Sequence, residues 1–92
     1  MGRPVIEREA TIVNQEGLHA RPAAKIVRLA SQFESEIELV KDGVDVNGKS
    51  IMGVMMLAAE CGSSILVRAD GPDAERAVAA ICDLVASGFG EP

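Results

Sequence analysis

The sequence predicts an α+β open-faced sandwich, a four-stranded antiparallel sheet with three helices on one face. Three observations predict it. Apolar and polar residues alternate in four short stretches. In three other stretches the apolar residues recur at helical spacing. The two kinds interleave in the order βαββαβα. Strands that are all half apolar need helices on one side of the sheet and water on the other.

Each element has its own signal. Between Ile6 and Val13, the residues Ile6, Ala10 and Ile12 share one face and Glu7, Glu9 and Thr11 the other, the pattern of a half-buried strand. Asn14-Gln15-Glu16-Gly17 breaks it. From Ala20 to Phe33 the residues Ala23, Ile26, Val27, Ala30 and Phe33 recur at three- and four-residue steps. Pro22 is tolerated only in a first helical turn, which puts the helix start close to His19. Glu36-Ile37-Glu38-Leu39 alternates again, Asp42-Gly43 is a hairpin turn, and Val44-Asp45-Val46 returns.

Ser50 is a good N-cap for a short helix from Ile51 to Ala58. Cys61-Gly62-Ser63 turns the chain into a fourth strand with Ile65, Val67 and Ala69 on one side. Pro72, Asp73 and Glu75 suit the first turn of a last helix and its dipole. Ala74, Ala77, Val78, Ile81, Leu84 and Val85 form its inner stripe, and Gly88 ends it.

Composition narrows the function classes. Ninety-two residues, 48% of them hydrophobic, make one small domain (1–92) with an aliphatic core, since Phe33 and Phe89 are the only aromatic residues. A net charge of −5 and the lack of aromatic interleaving argue against nucleic-acid binding. No apolar run is long enough for membrane insertion, and Met1-Gly2-Arg3-Pro4 lacks the apolar segment of a secretory signal. Cys61 and Cys82 have no metal-binding spacing and read as reduced thiols in a cytoplasmic protein, Cys82 in the core. No metal ligand set, nucleotide loop or paired carboxylates suggest an independent enzyme, so no cofactor and no metal are expected.

The chemistry gathers at Gly17-Leu18-His19-Ala20-Arg21-Pro22, which holds the only histidine. A ring nitrogen attacks phosphorus only through a free lone pair. A helix start disfavours added positive charge and so favours the neutral ring. After phosphorylation the same free N–H groups stabilise the anion. Arg21 offers a forked, permanent cation for phosphate oxygens. Gly17 permits a backbone shape that L-residues resist, and Pro22 stiffens the first turn.

Gly17-Leu18-His19-Ala20-Arg21-Pro22-Ala23 resembles the active-site motif of the HPr family, the histidine phosphocarriers of the bacterial phosphoenolpyruvate-dependent phosphotransferase system. Asn47-Gly48-Lys49-Ser50-Ile51-Met52-Gly53-Val54-Met55 is similar to the regulatory-serine region of that family, and the resemblance runs from Val5 to Phe89. It implies that His19 takes a phosphoryl group on Nδ1 from enzyme I and passes it to an enzyme IIA protein or domain in sugar transport. It implies a role for Arg21 at the phosphoryl group, for Ser50 as a site for an HPr kinase, and for Arg28, Ile51, Met52 and Met55 as partner contacts. The chain is then a monomeric, stoichiometric carrier. Two alternatives are a carrier of the nitrogen branch and a purely regulatory HPr-like binding module. Glu16 departs from the small polar residue of several relatives, and Gly48 from larger residues.

The helix Ile51 to Leu57 is apolar nearly all round. Val54, Leu57 and Ala58 can face the sheet. Ile51, Met52 and Met55 cannot all join them, and adaptable methionines then suit a docking patch.

Overall fold

The computed structural model describes residues 5–92. Met1-Gly2-Arg3-Pro4, expected from sequence to lack a secretory signal, lie outside that range. The expected order is present: β1 (Val5–Thr11), α1 (Ala20–Ala30), β2 (Glu36–Lys41), β3 (Val44–Asn47), α2 (Ile51–Met56), β4 (Ser64–Asp70) and α3 (Ala74–Ala86), followed by a 3-10 turn at Gly88–Gly90. The strands form one antiparallel sheet in the order β1-β4-β2-β3.

Asp42 and Gly43 close the β2–β3 hairpin as a two-residue loop, since Lys41 pairs with Val44. Their φ angles are 51° and 79°. Two consecutive left-handed residues are what a type I′ turn needs, and its twist matches that of the strands it joins. β4 lies between β1 and β2, with Ile65 opposite Ala10, Val67 opposite Leu39 and Ala69 opposite Ile37. These six side chains are buried on one face. Ile26 and Ala30 of α1, Val54 of α2, and Val78, Ile81 and Val85 of α3 cover them and are themselves fully buried.

The other face is polar. From β4, Arg68 reaches Glu7 of β1 at 2.7 Å, Glu38 of β2 at 3.1 Å and Asp45 of β3, one strand further on, at 3.5 Å. Glu7 first, and then Glu38, push its pKa up. Cys82 is buried and Cys61 exposed, both as free thiols. No helix among the described residues is long and apolar enough to cross a membrane.

Element ends shift by a few residues. β1 stops at Thr11 rather than Val13; Ile12 stays buried beyond it, and Val13 is exposed. α1 stops at Ala30, short of Phe33. Gln32 N donates to Leu29 O and Phe33 N to Ala30 O, the tightened bonds of a helix end. α2 stops at Met56 rather than Ala58. Ala58 has a left-handed φ of 48° and is exposed, so the inner stripe is completed by buried Ala59 instead. Leu84 of α3 is only partly buried. Gly88, at φ 70°, ends α3 as expected.

Asp73 stands at the N-cap position of α3 without capping it. Its carboxylate turns to the loop before β2, accepting from Ser35 Oγ at 2.6 Å, Ser35 N at 3.0 Å and Glu34 N at 2.9 Å. The Ser35 hydroxyl, then the Glu34 amide, lower its pKa from 3.8 to about 2. A carboxyl whose folded pKa is depressed stabilises the fold above its unfolded pKa and loses that contribution as pH falls through the folded one. Asp73→Asn is therefore expected to flatten the fall of the thermal midpoint between pH ~4 and ~2. Thermal unfolding across that range checks it, and an unchanged slope refutes the assignment.

Candidate functional site

The site begins with a close approach of two loops. Gly17 has φ 68°, and a Cβ on it would lie 2.3 Å from the carbonyl oxygen of Ala59. Only glycine fits that geometry without movement. The next residue, Leu18, is buried and donates its N–H to the same Ala59 oxygen at 2.9 Å. The exit of α2 is thus pinned against the entry to α1.

His19 is the N-cap residue of α1, with an extended backbone (φ −76°, ψ −173°) and no capping bond from its side chain. Its carbonyl accepts from Ala23 N at 3.0 Å. The amides of Ala20 and Arg21 open the helix without i−4 partners, and Pro22 has no N–H. The ring is 36% exposed. Its Nε2 lies 2.8 Å from Glu91 Oε1, and Nδ1 makes no hydrogen bond among the described residues. Nδ1 adjoins the ring carbon attached to Cβ, so it is the nitrogen nearer the residue's own backbone at the helix start.

Glu91 comes from the segment after α3. Phe89, buried with φ 59°, anchors that segment. Lys25 Nζ of α1 holds the Phe89 carbonyl at 2.5 Å, and Gln15 N holds the Pro92 carbonyl at 2.7 Å. Asn14, 1% exposed, donates through Nδ2 to Gly17 O at 2.9 Å and to Glu91 Oε1 at 3.0 Å. The His19 hydrogen bond is the chief cause that holds the Glu91 carboxyl below its ordinary pKa.

Arg21 and Arg28 are exposed and make no ion pair among the described residues. Seven residues are nearly two turns, so they share one face of α1. Ser50 caps α2 as expected, its hydroxyl accepting from Gly53 N at 3.1 Å. Ile51, Met52 and Met55 are 44%, 74% and 40% exposed, which leaves α2 with an uncovered apolar side rather than a fully buried one. Met56, 72% exposed, extends it. α2 packs beside α1, the helix that His19 caps. Among the described residues no cluster of three or more His, Cys, Asp or Glu could hold a metal ion.

Comparisons with known proteins identify the family. The family model PTS-HPr, described as "PTS HPr component phosphorylation site", matches residues 6–87. The chain belongs to the HPr family. It is 47% identical over 87 residues to the phosphocarrier protein HPr of Cupriavidus necator, covering 95% of this chain and 98% of that protein. It is 42% identical to the phosphocarrier protein NPr of Shewanella violacea, covering 94% of each. The crystal structure of HPr from Thermoanaerobacter tengcongensis superposes with a TM-score of 0.90 at 47% identity, covering 95% of this chain and 98% of that one. The chain is accordingly an HPr-type phosphocarrier with the fold of that family.

Of the residues singled out by sequence, the structure brings His19, Gly17, Ala20, Arg21 and Pro22 to one helix start, and Ile51, Met52 and Met55 to the neighbouring helix. Glu16 is exposed. Sequence reasoning missed Glu91, Asn14 and Lys25. Glu91 meets His19 across 72 residues of chain, a relation that no local pattern carries. Met56 had the same apolar signal as its neighbours. Gly17→Ala forces a methyl group against Ala59 in a left-handed conformation. It is expected to lower unfolding free energy by about 2 kcal/mol or more. Urea denaturation checks this, and a loss below about 0.5 kcal/mol would contradict the close approach.

Proposed function

We propose that His19 Nδ1 is the phosphoryl acceptor, charged by phospho-enzyme I and discharged to an enzyme IIA protein or domain. The observation that carries this reading is a partly exposed imidazole at the N-cap of α1 that spends no nitrogen on capping. The free amides of the helix start then stabilise the anion once the phosphoryl group is on the ring. Arg21 closes on the phosphoryl oxygens. Gly17, Ala20 and Pro22 set the backbone on which this happens.

The carrier turns over only with its partners, as a stoichiometric participant in the cytoplasm rather than an independent catalyst. Partners dock on α1 and α2. α1 carries Arg21, Lys25 and Arg28 and no acid, in a chain of net charge −5. Ile51, Met52 and Met55 supply the apolar half of the contact. Ser50 lies at the start of that patch, where phosphorylation by an HPr kinase would set a second anion against an incoming phosphorylated partner. The nitrogen branch is the second reading, favoured by the similarity to an NPr. Phosphate transfer to sugar-specific or nitrogen-type enzyme IIA separates the two.

With enzyme I and phosphoenolpyruvate, the chain is expected to gain one acid-labile phosphoryl group, seen by mass spectrometry, that is absent in His19→Ala. An unmodified wild-type chain refutes the carrier mechanism. Met52→Glu is expected to weaken binding to enzyme I about tenfold while changing stability by no more than about 0.5 kcal/mol. Ser50→Asp keeps a capping carboxylate and weakens the same binding. Calorimetric titration reads both, and undiminished affinity in either variant removes that residue from the docking surface.

A further inference from the structure

We propose that Glu91 is a positioning residue for the acceptor: its carboxylate holds the His19 proton on Nε2 and so keeps the Nδ1 lone pair free for attack. The proposal rests on the reading of His19 as the phosphoryl acceptor. The Nε2 to Oε1 distance is 2.8 Å. An ionised carboxylate only accepts hydrogen bonds, so Nε2 must donate. A neutral imidazole carries one N–H, which leaves Nδ1 unprotonated.

The Glu91 carboxylate is held in place from several sides. Asn14 Nδ2 donates to the same oxygen that His19 contacts. The orientation of the Asn14 amide is itself informative. Its NH2 group faces two acceptors, Gly17 O and Glu91 Oε1, and its own Oδ1 is buried with no partner. An unsatisfied buried oxygen is costly. A flipped amide would set oxygen against two oxygens, so the donor side is fixed toward Glu91. Behind Glu91, the buried Phe89 ring and the Lys25 and Gln15 contacts keep the segment docked.

The transfer step then balances without a base. The Nδ1 lone pair attacks phosphorus, and a nitrogen–phosphorus bond forms. The bond from phosphorus to the donor protein's leaving atom breaks, and its electron pair stays with the donor. No proton leaves His19. The ring becomes cationic while Nε2–H remains on the Glu91 carboxylate, which offsets the charge. Discharge to the next protein reverses these movements.

The test combines nitrogen-15 NMR of the His19 ring with the rate of phosphorylation by enzyme I and phosphoenolpyruvate. In the wild type, with the ring neutral, Nε2 is expected to have the shift of a protonated nitrogen and Nδ1 that of a bare one. Glu91→Ala should move both toward a tautomer mixture and slow phosphorylation on the order of fivefold, because a charge-assisted hydrogen bond is lost. Glu91→Gln keeps an accepting oxygen opposite Nε2 and Asn14, and should recover the wild-type shifts. Unchanged shifts or an unchanged rate in Glu91→Ala overturn the proposal, as does failure of Glu91→Gln to recover the shifts. A wild-type chain that enzyme I cannot phosphorylate would instead defeat the acceptor reading, while the nitrogen shifts still decide what Glu91 does to the ring.

Discussion

The fold depends on a sheet that is apolar on one face only. Ile37, Leu39, Ile65, Val67 and Ala69 all point the same way, so every helix must lie in a single layer over them. Three helices in one layer touch side by side, and their ends meet. The exit of α2 meets the entry of α1 where Gly17 abuts the Ala59 carbonyl. The segment beyond α3 returns across α1 and is received by Lys25 and Gln15. His19 is thus surrounded by parts of the chain far apart in sequence, although its own helix provides its position.

The site asks little of its residues beyond placement. A carrier must bind its cargo and give it up, so deep stabilisation of either state would stop the cycle. In the proposed site a helix start, one exposed arginine and a partly exposed ring would each contribute modestly, and solvent screens all of them. Glu91 is the acid at the histidine, whereas Glu7, Glu38 and Asp45 surround Arg68 on the opposite face of the sheet. A chain of negative net charge therefore carries a cationic helix without contradiction.

Much of this was legible in the sequence because the informative signals are local. Alternation of Ile65, Val67 and Ala69 gives a strand with a defined inner face. Asp42-Gly43 gives a hairpin because few other pairs accept two left-handed residues. Pro22 and Gly17 bracket the helix start, and Ser50 marks another. The element ends were less legible. Nothing in Ser31-Gln32-Phe33 or Leu57-Ala58 announces that the helix tightens and stops, since those residues tolerate helix and turn alike. Least legible was the partner of His19. The Glu91 contact arises only after α3 has crossed the sheet, and the buried role of Asn14 depends on that contact.

The place of β4 has a consequence for how the molecule comes to be. Among the described residues β4 is the only strand hydrogen-bonded to both β1 and β2, yet it follows the other strands in the chain. A polypeptide emerging from the ribosome therefore exposes β1 and the β2–β3 hairpin before the strand that joins them exists. Two-stranded hairpins are marginal alone, so partial products have little to hold them. Closing the long loop between Thr11 and Ser64 costs entropy before any contact repays it. Acquisition of structure is thus delayed until β4 arrives and is then cooperative, and the helix start that carries His19 becomes ordered only once the sheet has closed beneath it.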